Sequence, residues 1–155
     1  MARQIAEGSN SAPNVLISDN NALGIFLQEN FIVRLPAFRD AAAYAGARRL
    51  AARSARSQGD PMGHRYSETI MADGVTIESV WQELDPSKAL ELPPELTGTK
   101  AHTMFTLLAP ARHAQIIVNG QALLGAVGRR VQAGFETTNA FLYFSVTWVL
   151  PPGST

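Results

Sequence analysis

The three histidines of this chain, His64, His102 and His113, are spread too widely for any two to share the four-residue spacing that puts metal ligands on one helix face. Cysteine is absent, so neither a thiolate zinc set nor a disulfide framework can form. The acids Glu68, Asp73 and Glu78 fall on or beside an expected hairpin. Carboxylates there solubilise an exposed face, whereas paired-carboxylate catalysis needs a cleft to hold them. Gly120, Gly125 and Gly128 in NGQALLGAVGRR follow a strand as a phosphate-cradling loop would. No Gly-Lys-Ser/Thr comes after them, and their intervals miss the dinucleotide fingerprint, so a turn and close packing explain them better. Ser67 and Ser145 lack the Gly-x-Ser-x-Gly setting of a nucleophile. These residues nominate no catalytic group, no metal and no cofactor, and the chain reads as a non-enzyme.

What the sequence does concentrate is arginine. Residues 36–58, PAFRDAAAYAGARRLAARSARSQ, combine strong helix formers with a proline suited to a first helical turn, and Ser57, Gly59, Pro61 and Gly63 supply a stop. At about 100° per residue, Arg39, Arg49, Arg53 and Arg56 form one stripe, and Ala43, Ala47, Leu50, Ala51 and Tyr44 spread over an adjacent face. The first reading of such a stripe is a solvated face; the second is a surface for phosphate or for an acidic neighbouring subunit. Arg129 and Arg130 add a smaller basic point.

The formal charge is zero over 155 residues, but the signs are segregated. Residues 34–65 hold seven arginines against Asp40 and Asp60, and residues 66–95 hold seven acids against Lys88. Blocks of this kind suit an internal contact or head-to-tail contact between copies. The stretch 82–100, QELDPSKALELPPELTGTK, reads as an exposed acidic loop, with one helical turn at 87–92. Its Glu83, Asp85, Glu91 and Glu95 are candidates for reaching an adjacent subunit.

The elements around these segments define the expected fold. Residues 1–13 read as a flexible arm and residues 14–155 as a single domain. A short strand at 15–17 precedes residues 18–21, whose side chains can cap a short helix. Residues 31–33 form a brief β-prone run. Asp73-Gly74 joins strands at 65–71 and 75–81. Strands at 102–108 and 113–118 are separated by Ala109 and Pro110, Asn119-Gly120 makes a turn, and 121–133 reads as a short helix with Leu123, Leu124 and Val127 inward. The run AFLYFSVTWVL, residues 140–150, reads as a central core strand carrying Trp148. The fold class expected is α+β, with one long basic alanine-rich helix packed on a mostly antiparallel sheet. No window approaches the length of a membrane span, and the start shows no apolar signal region.

A helix with AGARRLAARSAR, a Gly/Pro break, GHRYSETI leading into a strand and later HAQIIVNG resemble the small head-tail connector, neck and tail-completion proteins of long-tailed bacteriophages, in which an alanine- and arginine-rich helix holds that first place, over residues 40–135. Ser67 and Ile70 stand at that family's Ser-Ile strand start, His113 and Ala114 at its Tyr-Ala place, and Gly120 at its turn. Pro61-Met62-Gly63 and Tyr66 replace the Thr-Gly pair, and Asn119 replaces an acid. The resemblance implies a structural virion protein, made in the host cytoplasm, with no enzymatic activity. It would be a hexameric or dodecameric homo-oligomer ring between the capsid connector and the tail, touching neighbouring connector and tail proteins, DNA in the lumen without sequence preference, and no membrane. Tail terminators and other virion ring proteins are the neighbouring alternatives, and a small-molecule-binding or enzymatic α+β domain is the alternative of another class.

Overall fold

The computed structural model describes residues 2–4, 15–26, 28–29, 47–97, 100–132, 134–144 and 147–153. Among the described residues strands occupy 59% and helices 10%, and no helix reaches seven residues, so what is described is a β protein. The expected α+β fold with one long helix is therefore corrected. Residues 36–46 lie outside the described residues, and so do 31–33. The rest of the expected helix is extended, as β3 (Arg48–Ala51) and β4 (Ser54–Gly59).

Pairing explains that outcome. Arg48–Ala51 lies parallel to β2 (Val15–Ser18), with Val15 opposite Arg48 and Ser18 opposite Ala51. The Ala52 N–H donates to the Ser18 carbonyl at 2.8 Å, and the Arg53 N–H to the Met71 carbonyl at 2.8 Å. Helix propensities separate ordinary residues by at most about 0.7 kcal/mol each, a bias that a sheet partner and a buried neighbour override.

The chain divides into two compact units. The first comprises Met1–Ser57, Glu68–Ser79 and Gln115–Gly125. In it β1 (Ala2–Gln4) pairs antiparallel with β2, which also carries β3, giving the order β1-β2-β3. All four residues of β2 are buried. Val15 and Ile17 join Ile70, Ala72, Val75 and Ile77 in the core, with Leu50, Ile116 and Val118 against its margin. The other face of β2 lies under α1 (Asn21–Phe26), where Gly24 sits over Ser18 and Leu16. The expected cap is present, since the Asn20 side-chain oxygen accepts the Leu23 N–H at 3.0 Å.

The largest sheet runs β12-β8-β6-β5-β4, and β7, β9 and β13 also pair with β8. The Asp73-Gly74 hairpin forms as expected between β5 (Arg65–Ala72) and β6 (Val75–Leu84). Asn119, at φ 50°, begins the turn from β8 (Thr103–Val118) to β9 (Gln121–Ala122). Its side chain accepts the Thr76 N–H at 2.8 Å and donates to the Gly74 carbonyl at 3.1 Å, so it ties one turn to the other. The strands expected at 102–108 and 113–118 are one strand of 16 residues. Pro110 breaks nothing, because its carbonyl accepts the Asp85 N–H at 2.8 Å and Phe141 lies opposite.

The second unit comprises Gln58–Ser67, Val80–Ala114 and Ala126–Thr155. The expected loop at 82–100 is largely ordered: β6 continues to Leu84, β7 spans Lys88–Leu92, and a 3-10 turn follows at Pro94–Leu96. The run expected as one terminal strand is divided into β12 (Phe141–Tyr143) and β13 (Thr147–Val149), which pair with successive parts of β8. The helix expected at 121–133 is replaced by a connection into the hairpin of β10 (Arg129–Gln132) and β11 (Phe135–Thr138). Leu124, expected inward, is 84% exposed.

Gly59 closes β4 at φ 91°, and a Cβ there would overlap the Arg65 carbonyl oxygen. Gly59→Ala is expected to cost roughly 2 kcal/mol or more, because strain and overlap add; urea denaturation checks it.

Candidate interaction surface

In the second unit, β8 has β7 and β13 for neighbours. Across β7, Leu92 faces Met104, Leu90 faces Thr106 and Lys88 faces Leu108; across β13, Trp148 faces Met104. Residues directly opposite share a face, and this one is buried, with Leu90, Leu92 and Met104 clustered against the half-buried Trp148. The β10–β11 hairpin covers its upper part. Phe135 and Thr137 meet Leu90, Leu108 and Pro110 around a shallow crevice, and the Lys88 ammonium lies 5.9 Å from the Phe135 ring centre.

The alternate residues make the opposite face. Glu91 and Thr147 flank Phe105, Ala89 stands opposite Leu107, and Val149 opposite Thr103. Phe105 is 40% exposed, Leu107 42% and Val149 44%. Strands about 4.8 Å apart, with same-face residues about 6.8 Å apart along each, make this a contiguous apolar field three strands wide. Glu91 is set within it.

Among the described residues, Arg49, Arg53 and Arg56 lie on or between strands rather than in a stripe on one helix face. Arg39 lies outside the described residues. Arg49, on β3, donates to the Gln28 side-chain oxygen at 2.8 Å. Arg53, between β3 and β4, is ion-paired with Asp73. Arg56 is exposed on β4, and Arg48 is exposed on β3; neighbouring strand residues point to opposite faces, so adjacent arginines do not line up. Arg129 and Arg130 are both on β10, with Arg130 5.0 Å from the Phe141 ring centre.

The acids separate in the same way. Glu83 lies 3.6 Å from His113. Asp85 accepts two bonds from Arg112, at 3.1 and 2.9 Å. Glu91 and Glu95 are exposed and make no ion pair among the described residues. The same is true of Arg48 and Arg56. Among the described residues, no three of His, Asp and Glu converge as metal ligands.

Phe105, Leu107 and Val149 were not among the sequence candidates. The signal for them was present: MFTLL places apolar side chains at both parities of one strand, a pattern that calls for covering both faces. No protein-family model, curated protein or solved structure matches the chain.

Proposed function

We propose that the chain is a structural subunit that acts by packing against further copies of itself, in a ring at the head-tail junction of a long-tailed phage virion. The observation that carries the assembly is the open face around Phe105 and Leu107. A contiguous apolar field on a sheet is a surface suited to association. The phage setting comes from the resemblance, narrowed by the correction above. The helix on which that resemblance draws is strand from residue 48 onward, and the reading keeps only the GHRYSETI segment, which runs into β5, and HAQIIVNG, which ends at the turn after β8. The work of such a subunit is positional: it holds connector and tail in line and leaves a channel for DNA.

The mass of the purified protein across concentration, measured by light scattering with and without the products of its genomic neighbours, tests this reading. A closed multimer, or co-assembly with a neighbour's product, is expected. A monomer at every concentration that joins none of those products would overturn it.

A further inference from the structure

We propose that Asn119 is a modification site: the tie between two turns of the first unit holds it back, and it deamidates through a cyclic imide once that tie opens. Asn119-Gly120 is the one Asn-Gly pair in the chain. Asparagine is a thermolabile side chain, and a following glycine presents its backbone nitrogen with no Cβ in the way. Both residues are exposed, and a Cβ built on Gly120 would meet nothing within 4 Å, so water reaches the turn.

Hydrogen bonds restrain that chemistry in the folded chain. Asn119 Oδ1 accepts the Thr76 N–H at 2.8 Å, Nδ2 donates to the Gly74 carbonyl at 3.1 Å, and the Asn119 backbone N–H donates to the Thr76 carbonyl at 2.8 Å. Both turns belong to the first unit. Attack requires the Gly120 nitrogen and Asn119 Cγ to reach a near-attack geometry. A carboxamide pinned at its oxygen and its nitrogen is not free to rotate into it. Exposed hydrogen bonds open more often than a whole unit unfolds, and each opening releases the side chain.

In the released state the Gly120 nitrogen bonds to Cγ and the Cγ–Nδ2 bond breaks. Nδ2 leaves as ammonia, carrying the proton that the Gly120 nitrogen gives up. Water then cleaves the imide at either carbonyl, leaving aspartate or isoaspartate; nothing is oxidised or reduced. Neither product can remake the tie. A carboxylate has no N–H for the Gly74 carbonyl and brings negative charge to the turn that carries Asp73, and isoaspartate also lengthens the backbone of its own turn. Opening at this point therefore leaves a permanent mark.

The test follows residue 119 by peptide mass spectrometry, with enzymatic methylation to detect isoaspartate, in the full chain at mildly alkaline pH, folded and in guanidinium chloride. The folded chain is expected to react at least about tenfold more slowly, because only its opened fraction reacts. Thr76→Pro removes the N–H that Oδ1 accepts and, in a chain shown by circular dichroism to be folded, is expected to speed the reaction about threefold or more. Equal rates in the folded and unfolded wild type would overturn the protection, and an unfolded chain that does not react at residue 119 would overturn the site. A folded Thr76→Pro chain that reacts as slowly as the wild type would show that the tie is not the restraint. If that substitution unfolds the chain, hydrogen exchange of the wild-type Thr76 N–H decides instead: protection is expected, and exchange as fast as in an unstructured peptide would overturn the tie.

Discussion

Replacing Phe105 and Leu107 together by aspartate is expected to give a folded chain that no longer associates. Both side chains stand on the open face of β8, 40% and 42% exposed, so the new carboxylates would reach water in the isolated chain at modest cost. In an assembled interface they would lose that water without gaining partners, and buried unpaired charge is among the costliest substitutions. The concentration of half-assembly should rise about 100-fold or more, equivalent to about 2.8 kcal/mol. Sedimentation with a parallel thermal melt checks both halves of the expectation. Met104→Asp is the control from the opposite face, where Leu90 and Leu92 enclose the side chain, and it should unfold the second unit. If the doubly substituted chain assembles like the wild type, the open face is not the contact.

The second large effect concerns stability. Ile17 is fully buried on β2, in a cluster with Val15, Ile70 and Val75. Ile17→Ala removes buried carbon from a site closed on both sides of the strand, since α1 covers the Leu16 and Ser18 face. A loss of about 2–5 kcal/mol is expected, lowering the melting temperature by roughly 4–20 °C for a chain of this size. Ile17→Val, which removes a single methylene, should cost about 0.5–1.5 kcal/mol. Equilibrium denaturation separates the two; equal, small losses would mean that the first unit repacks around the gap.

The parts of this architecture that could be read from sequence are those with local physical causes. The Asp73-Gly74 hairpin, the Asn20 cap and the Asn119-Gly120 turn each depend on a backbone geometry that only a few residue types favour. The failures share another cause. Arg48–Ala51 became a strand because Val15–Ser18 lies alongside it, and β7 formed where a helical turn was expected because residues 104–108 supply a partner. Pro110 was read as a break, yet it can stay within β8 because the strand does not depend on its missing N–H. Glu83, Glu91 and Glu95 are exposed but Asp85 is half-buried, and the sequence did not distinguish Asp85, held by Arg112, from Glu91, set among apolar neighbours. That distinction belongs to register, which becomes visible only when strands from separate parts of the chain are brought together.

The position of β8 also sets a timetable for synthesis. Its partners β6 and β7 precede it in the chain, whereas β12 and β13 follow it by some two dozen residues or more. As the polypeptide leaves the ribosome, one edge of Thr103–Val118 can therefore zip onto strands already made while its other edge waits for Phe141–Val149. Throughout that interval the unpaired edge at residues 103–110 is open to any extended chain nearby, including another nascent copy. Slow translation between residues 119 and 141 would prolong this hazard, and a holdase chaperone bound over that edge would shield it until its partners emerge.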